Sequence, residues 1–256
     1  MEKNIIELNE KYKSIKNKGW IKSKRSGTSG IGYTFEKLLD KEEENFPIPD
    51  FKEIEIKTMH KYSKRNIHLF NLTPDGDYLF PIKRILNILG YPDKDFPMYK
   101  VFNMDVDALN YTKVGLFKKM KLVVNRNKKK LELIVVDNKG KKINIDTSWS
   151  FESLYERINL KLKYLALIKA DSKKINGDEY FYYNQINFYK IKDFDNFINL
   201  LEQGYITVTF KISVFKKGKR LGQVHDHGTG FSINEEHVTK LYDEIDINKL
   251  QIWWIL

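Results

Sequence analysis

The chain has 256 residues and carries 45 Lys and Arg against 34 Asp and Glu, a formal net charge of +11, with 41% hydrophobic and 31% charged residues. That balance supplies a core and excludes wholesale disorder, and no stretch nears the roughly 18 apolar residues a membrane helix needs. With no cysteine there are no disulfides, no cysteine-ligated zinc and no thiol nucleophile, and without an apolar segment near the start a cytoplasmic protein is expected.

In chain order, a polar helix is expected over 3–18, then a glycine loop, RSGTSGIGY. Phe35, Leu38 and Leu39 follow i, i+3, i+4 and predict an amphipathic helix over 33–44. Pro47 and Pro49 stop it and impose an extended backbone. EIEIKT (53–58) alternates as a strand with one buried face, and NIHLFNL (66–72) reads as its hairpin partner, with TPDGD (73–77) as a turn. A helix over 79–90 closes at Gly90, and 99–147 reads as strands with a turn at DNKGK. A helix over 150–162 then runs into a buried strand over 163–169. A strand (180–191), a helix (193–203) and a strongly alternating strand (205–215) follow, before the turn KKGKR. Asn234 begins a helix, and the terminal QIWWIL suggests an edge strand or docking tail. The polar stretch 171–179 is the best boundary, which divides the chain into 1–172 and 173–256.

The positive surplus is concentrated. Residues 11–25 hold seven Lys or Arg and no acid, among them Lys24 and Arg25; 118–130 hold another seven, and 211–220 hold five, including Lys219 and Arg220. One such run is commonly a solvated face, but three separated ones favour a polyanion, because cations gain affinity by releasing its counterions. A membrane surface is the weaker alternative, since no run forms an amphipathic helix with a bulky apolar face.

Within FPIPDFKEIEIK, Glu55 and Lys57 are two apart and share one face of the strand, about 6.5–7 Å apart, while Ile54 and Ile56 face the core. A straight strand would put Asp50 on the wrong face; a bend at the prolines would return it toward Glu55. Two carboxylates and an ammonium on one strand suit magnesium-dependent phosphodiester hydrolysis: the acids hold a hard cation, and the lysine orients water and offsets phosphoryl charge. The competing reading is an amphipathic edge strand with its charges in water.

A second constellation is QVHDHGTGF (223–231), where His225 and His227 lie on one face and Asp226 opposite. A metal pair, an acid–base pair and hydrogen-bonding groups for a ligand all remain open. No cysteine or glutamate cluster completes a zinc site, and imidazoles after a basic turn suit donors to base edges. Histidines merely satisfied in a turn are the plain alternative. The glycine loop fits neither the dinucleotide nor the Walker pattern, so a nucleotide cofactor is not supported.

KRSGTSGIGYTFEKLLDKEEEN, PDFKEIEIKT, WSFESL with KLKYLALI, and HDHGTGFSIN, in that order, resemble the MvaI/BcnI family of type II restriction endonucleases over about residues 18 to 245. That family is similar to the nicking enzyme MutH, and both belong to the PD-(D/E)-x-K nucleases. The resemblance implies a mixed α/β fold: a nuclease core with a mixed sheet flanked by helices, and a second DNA-recognition lobe, with DNA in the cleft between them. It implies Asp50, Glu55 and Lys57 as the catalytic motif, Glu36 as an additional acid, and Glu36, Asp50 and Glu55 around one or two Mg²⁺ ions. His225, Asp226, His227, Arg220, Lys219 and Thr229, with Lys24 and Arg25, would face DNA, Asp226 either accepting from a cytosine or bracing a neighbour. Relatives carry an arginine where this chain has Ser232, so the target sequence differs or is read otherwise. Also implied are a monomer cutting one strand at a time at a short CC/GG-type site and a partner DNA methyltransferase. The rivals are a MutH-like nicking enzyme and a DNA-binding module without catalysis.

Overall fold

Alternation of apolar residues builds three sheets here, and a computed structural model describes residues 2–39, 49–77 and 80–252. In chain order the elements are α1 (Glu2–Asn17), β1 (Ile21–Lys22), α2 (Gly30–Leu38), β2 (Ile54–His60), β3 (Asn66–Asn71), α3 (Phe80–Leu89), β4 (Tyr91–Pro92) and β5 (Lys100–Val106). Then come β6 (Thr112–Val114), β7 (Lys118–Asn125), β8 (Lys130–Asp137), β9 (Lys142–Ile143), β10 (Ser148–Ser150), α4 (Phe151–Lys161), β11 (Tyr164–Ile175) and β12 (Asp178–Ile191). The last are α5 (Phe194–Glu202), β13 (Ile206–Val214), β14 (Val224–Asp226), β15 (Gly230–Asn234), α6 (Val238–Leu241), β16 (Tyr242–Ile245) and α7 (Ile247–Ile252).

The chain divides into two interleaved units: 1–65, 158–192 and 239–256 in one, 66–157 and 193–238 in the other. The expected boundary at 172/173 falls within β11, which pairs with β12 from Tyr164↔Lys190 to Ile175↔Asp178. The polar stretch is the tip of this hairpin, where Asn176 and Gly177 have φ of 51° and 85°, the two positive φ values of a tight hairpin turn. Polarity there marks solvent around a turn rather than a linker.

The first unit has a mixed sheet in the order β1-β12-β11-β2, with β16 also on β12. β2 runs parallel to β11, with Glu55 opposite Leu165 and Lys57 opposite Leu167. Ile5, Leu8, Tyr12 and Ile15 of α1 and Ile31 and Phe35 of α2 pack with Ile54, Ile56, Ala166 and Ile168 in one cluster; each large apolar side chain so buried contributes about 1.5–3 kcal/mol. Helix α2 begins at Gly30 and ends at Leu38, earlier at both ends than the apolar spacing suggests. It lies close on β2: a Cβ on Gly32 would stand 3.1 Å from Thr58 Oγ1.

The second unit holds one sheet in the order β3-β15-β13-β5-β4, with β14 on β13, and another in the order β10-β8-β7-β6, with β9 on β8. β3 is therefore not the hairpin partner of β2: it pairs antiparallel with β15, from Asn66↔Asn234 to Asn71↔Gly230. Its buried side chains Ile67, Leu69 and Phe70 belong to this unit's core, while β2 satisfies its ladder on β11. Phe231 stacks on Phe70 at 4.8 Å and meets Trp149 edge-on at 5.6 Å. The TPDGD segment caps α4, Asp75 accepting from Ser150 N at 2.6 Å and Ser153 Oγ at 2.9 Å. Asn234 caps a single 3₁₀ turn (Glu235–His237) that leads into α6, and the terminal segment forms α7, with 253–256 outside the described residues.

Candidate functional site

In the first unit the site is built on β2, at the edge of the mixed sheet. A tight turn precedes it: Phe51 and Ile54 exchange backbone hydrogen bonds of 2.9 and 2.8 Å, and Lys52 has φ 53°. The reversal folds Asp50 back so that its Oδ2 accepts from Ile56 N at 3.0 Å. Asp50 is thereby held beside the strand segment that carries Glu55 and Lys57. The reversal that returns Asp50 lies at 51–54, Pro47 being outside the described residues, and a non-glycine residue in the left-handed region costs energy that the surroundings must offset. The Lys52 ammonium pairs with Glu7 of α1.

Glu55 is 3% exposed, with Lys57 Nζ at 2.5 Å on Oε1 and Lys161 Nζ at 2.9 Å on Oε2. Lys161, in the last turn of α4, is absent from the sequence expectation. Nothing in spacing links it to Glu55, 106 residues away; only the parallel crossover brings α4 back over β2. Tyr242 is fully buried, its hydroxyl has no hydrogen-bond partner among the described residues, and burial, with a smaller contribution from Glu55, pushes its pKa up. Burying a carboxylate requires paired charge, and two lysines supply it.

Glu36 lies on α2, on the side of the helix that meets β2: a Cβ on Gly32 would be 3.8 Å from its Oε1 and 3.1 Å from Thr58 Oγ1. Among the described residues no three His, Cys, Asp or Glu gather in metal-binding geometry. The donors that fit a divalent cation are the carboxylates of Asp50 and Glu55, hard oxygen ligands of the kind such an ion takes. Both Glu55 oxygens already carry a lysine ammonium, so a cation bound there takes a remaining lone pair or displaces one of the lysines. Lys24 and Arg25 are exposed in the glycine loop, the Arg25 guanidinium 3.8 Å over the Tyr33 ring.

In the second unit, β14 carries His225 and Asp226 along β13, with Ser213↔His225 and Ile212↔Asp226 in register, and His227 follows it, its N–H donating to Lys211 O at 2.9 Å. The histidines share a face, as the spacing predicts, with ring centroids 4.0 Å apart. They extend a row of stacked groups: Arg220 lies 3.9 Å over Phe215, Phe215 stacks on His225 at 4.2 Å, and His227 Nε2 meets Ser213 Oγ at 2.8 Å. Burial, then the neighbouring His225, lowers the His227 pKa below 6.5. His227 also lines a cavity of about 500 Å³ with Lys211, Asn103 and Asp105.

Asp226 turns the other way and braces the loop, accepting from Gly228 N at 2.9 Å and Thr73 Oγ1 at 3.5 Å; burial raises its pKa. Thr229 is 0% exposed with a buried hydroxyl, so its side chain belongs to the interior and not to a contact surface. Ser232 is likewise buried, at 8%. Lys219 and Arg220 are exposed, whereas Lys216 of the same turn is bound to Asp93 at 2.7 Å. The structure adds His68 and Asn71 of β3, both exposed and set against the glycines of the motif: a Cβ on Gly228 would stand 2.9 Å from Asn71 Cγ, and one on Gly230 2.9 Å from His68 Cε1. Side chains on the neighbouring strand thus account for the glycines.

A family model described as the MvaI/BcnI restriction endonuclease family matches residues 9–242. Among solved structures, the chain is similar to restriction endonuclease MvaI in its cognate DNA substrate complex, with 32% identity, a TM-score of 0.86, and coverage of 96% of this chain and 99% of that one. It is also similar to MvaI in the absence of DNA, with 31% identity, a TM-score of 0.64, and coverage of 96% and 98%. No curated protein matches.

Proposed function

The chain belongs to the MvaI/BcnI restriction endonuclease family, and from that membership we propose that Asp50, Glu55 and Lys57 form the reacting centre of a Mg²⁺-dependent endonuclease acting on double-stranded DNA. Membership makes it a type II site-specific deoxyribonuclease. The observation that carries the proposed centre is the nearly buried Glu55 with Lys57 on one oxygen, beside an Asp50 anchored on the intervening amide.

Asp50 and Glu55 would hold the cation, with Glu36 contributing from α2. When bound, it supplies Lewis-acid charge at the phosphoryl oxygens and acidifies a water. Lys57 orients that water and donates to the charge that develops on the phosphate. The water oxygen bonds to phosphorus as the P–O3′ bond breaks; the 3′ oxygen takes a proton, leaving a 3′-hydroxyl and a 5′-phosphate. Lys161 holds the second oxygen of Glu55, so the carboxylate keeps one orientation through the reaction.

Reading of the target falls to the second unit. The exposed edge of Arg220, His225 and His227 suits donors to guanine and other base acceptors in the major groove, and Lys219 suits a phosphate. Asp226 braces the loop that presents them. The remaining reading is a monomer that cuts a short CC/GG-type site one strand at a time, in the cytoplasm, with a methyltransferase protecting the host sequence.

Incubation of the protein with supercoiled DNA and Mg²⁺, followed by sequencing of the ends, tests this. Discrete linear fragments with 5′-phosphates are expected. Relaxed circles without linear product would indicate a MutH-like nicking enzyme, and DNA binding without cleavage in any divalent metal would indicate a binding module.

A further inference from the structure

A cavity of about 580 Å³ opens in the first unit where three segments converge: the glycine loop (23–28), the end of β2 with the segment after it (60–65), and the tip of the β11–β12 hairpin (174–179). Four cations line it, Lys24, Arg25, Arg65 and Lys174, one or more from each segment. Lys24, Arg65 and Lys174 form no ion pair among the described residues, although Lys174 stands across the hairpin from Glu179. Of the two carboxylates that also line the cavity, Asp178 is taken by Lys22 at 2.5 Å. Lys24, Arg65 and Lys174, three positive side chains from distant segments with one carboxylate left to offset them, favour an anion among them. Ser23, Ser26 and Thr28 add hydroxyls at the same opening.

We propose that this cavity is a phosphate subsite for the DNA backbone, in which Arg65 and Lys174 bind a phosphodiester away from the one that is cut. The assignment rests on the nuclease reading of β2, since it takes the same DNA strand as its ligand. His60, which lines the cavity, lies three residues beyond Lys57 on that strand, about 10 Å along it and, by the alternation of a strand, on the opposite face. The subsite is therefore separate from the reacting centre and meets a different phosphate. Base contacts on the second unit carry sequence information, while a phosphate clamp on the catalytic unit carries none and sets where along the backbone the reacting centre falls.

The test is equilibrium binding without divalent metal, using duplexes with one methylphosphonate, a neutral phosphate replacement, moved along each strand. In the wild type, one or two positions away from the cut are expected to weaken binding about 5-fold or more. In an Arg65→Gln, Lys174→Gln double variant, the same replacements cost no more than replacements elsewhere. The slope of log K against log salt also falls by about 1, since a phosphate no longer neutralised removes about 0.9. Arg65→Lys with Lys174→Arg restores the slope. A wild type indifferent to neutral phosphates at every position away from the cut, or a double variant as sensitive as wild type, overturns the subsite. Cleavage with Mg²⁺ is scored separately, so failure of the nuclease reading is visible as uncut DNA with the phosphate dependence intact.

Discussion

Replacing Lys161 with methionine removes one of two ammonium groups from a carboxylate that is 3% exposed, while keeping most of the unbranched stem. Unit charges about 4 Å apart attract by about 4 kcal/mol at an effective dielectric constant of about 20. Desolvation of both groups subtracts from that gain, and Lys57 remains on the other oxygen at 2.5 Å, so the roughly 3–5 kcal/mol cost of a fully orphaned charge is not reached. A charged hydrogen bond is worth about 1.5–3 kcal/mol, and the expected loss is about 2 kcal/mol. For a chain of this size that is a fall of about 4–8 °C in melting temperature.

The assay is thermal or urea unfolding of wild type and Lys161→Met, with and without Mg²⁺. A divalent cation at Glu55 replaces the missing charge, and a ligand that binds only the folded state stabilises it by mass action. Mg²⁺ should therefore raise the stability of the variant more than that of wild type. A variant within about 0.5 kcal/mol of wild type would refute the reasoning that Glu55 depends on its second lysine. A deficit that Mg²⁺ leaves unchanged would refute Glu55 as a cation ligand.

Lys57→Ala should lower the cleavage rate about 10²–10³-fold, the usual cost of removing one donor to transition-state charge, with DNA affinity within about 3-fold of wild type; equal losses in both would mean that Lys57 only binds. Gly228→Ala should cost about 1–3 kcal/mol and weaken DNA binding, because the residue has φ 99° and the new Cβ would meet Asn71 at 2.9 Å; an unchanged unfolding midpoint refutes the close approach. The His227 ring should titrate below 6.5 by NMR. Because its folded pKa is depressed, the unfolded chain takes the proton first, so its contribution to stability is present above about 6.5 and declines as pH falls toward the folded value; a titration at or above 6.5 contradicts the partial desolvation and the His225 neighbour that lower it.

β2 was legible because charged and apolar side chains alternate in EIEIK, and that alternation follows directly from the pleat. The placement of Asp50 was legible only as a need for a bend. Its cause, Lys52 at φ 53°, has no signal in a residue type that rarely adopts that conformation. Lys161 was illegible for a different reason: a parallel crossover joins groups that local periodicity never relates. The misreading of β3 came from treating sequence neighbours as sheet neighbours, when the chain passes between units at Arg65/Asn66. In HDHGTG the residue types pointed to the segment, but the choice of which side chains face out depended on β3. Thr229 and Ser232 are buried there while His68 and Asn71 are exposed.

The same distinction applies to charge. A run of basic residues counts cations, whereas a polyanion meets only those not already engaged. In 118–130, Lys118 donates to Ile88 O at the end of α3, Lys119 and Lys121 lie 5.0 and 5.4 Å over Tyr111, Arg126 binds Glu202 at 2.9 Å, and Lys128 is 3.7 Å from Glu132. Five of its seven cations have partners within the fold, which accounts for the run without any ligand. In 211–220, by contrast, Lys216 is held by Asp93, but Lys217 and Lys219 are exposed and without ion pairs among the described residues. Exposed ion pairs are worth only about 0–1 kcal/mol, so a phosphate can displace some of these partners; a salt slope nonetheless counts first the cations that need displace nothing. Among them are Lys24, Arg65 and Lys174 on one unit and Lys217 and Lys219 on the other, and Arg65 and Lys174 lie in none of the basic runs.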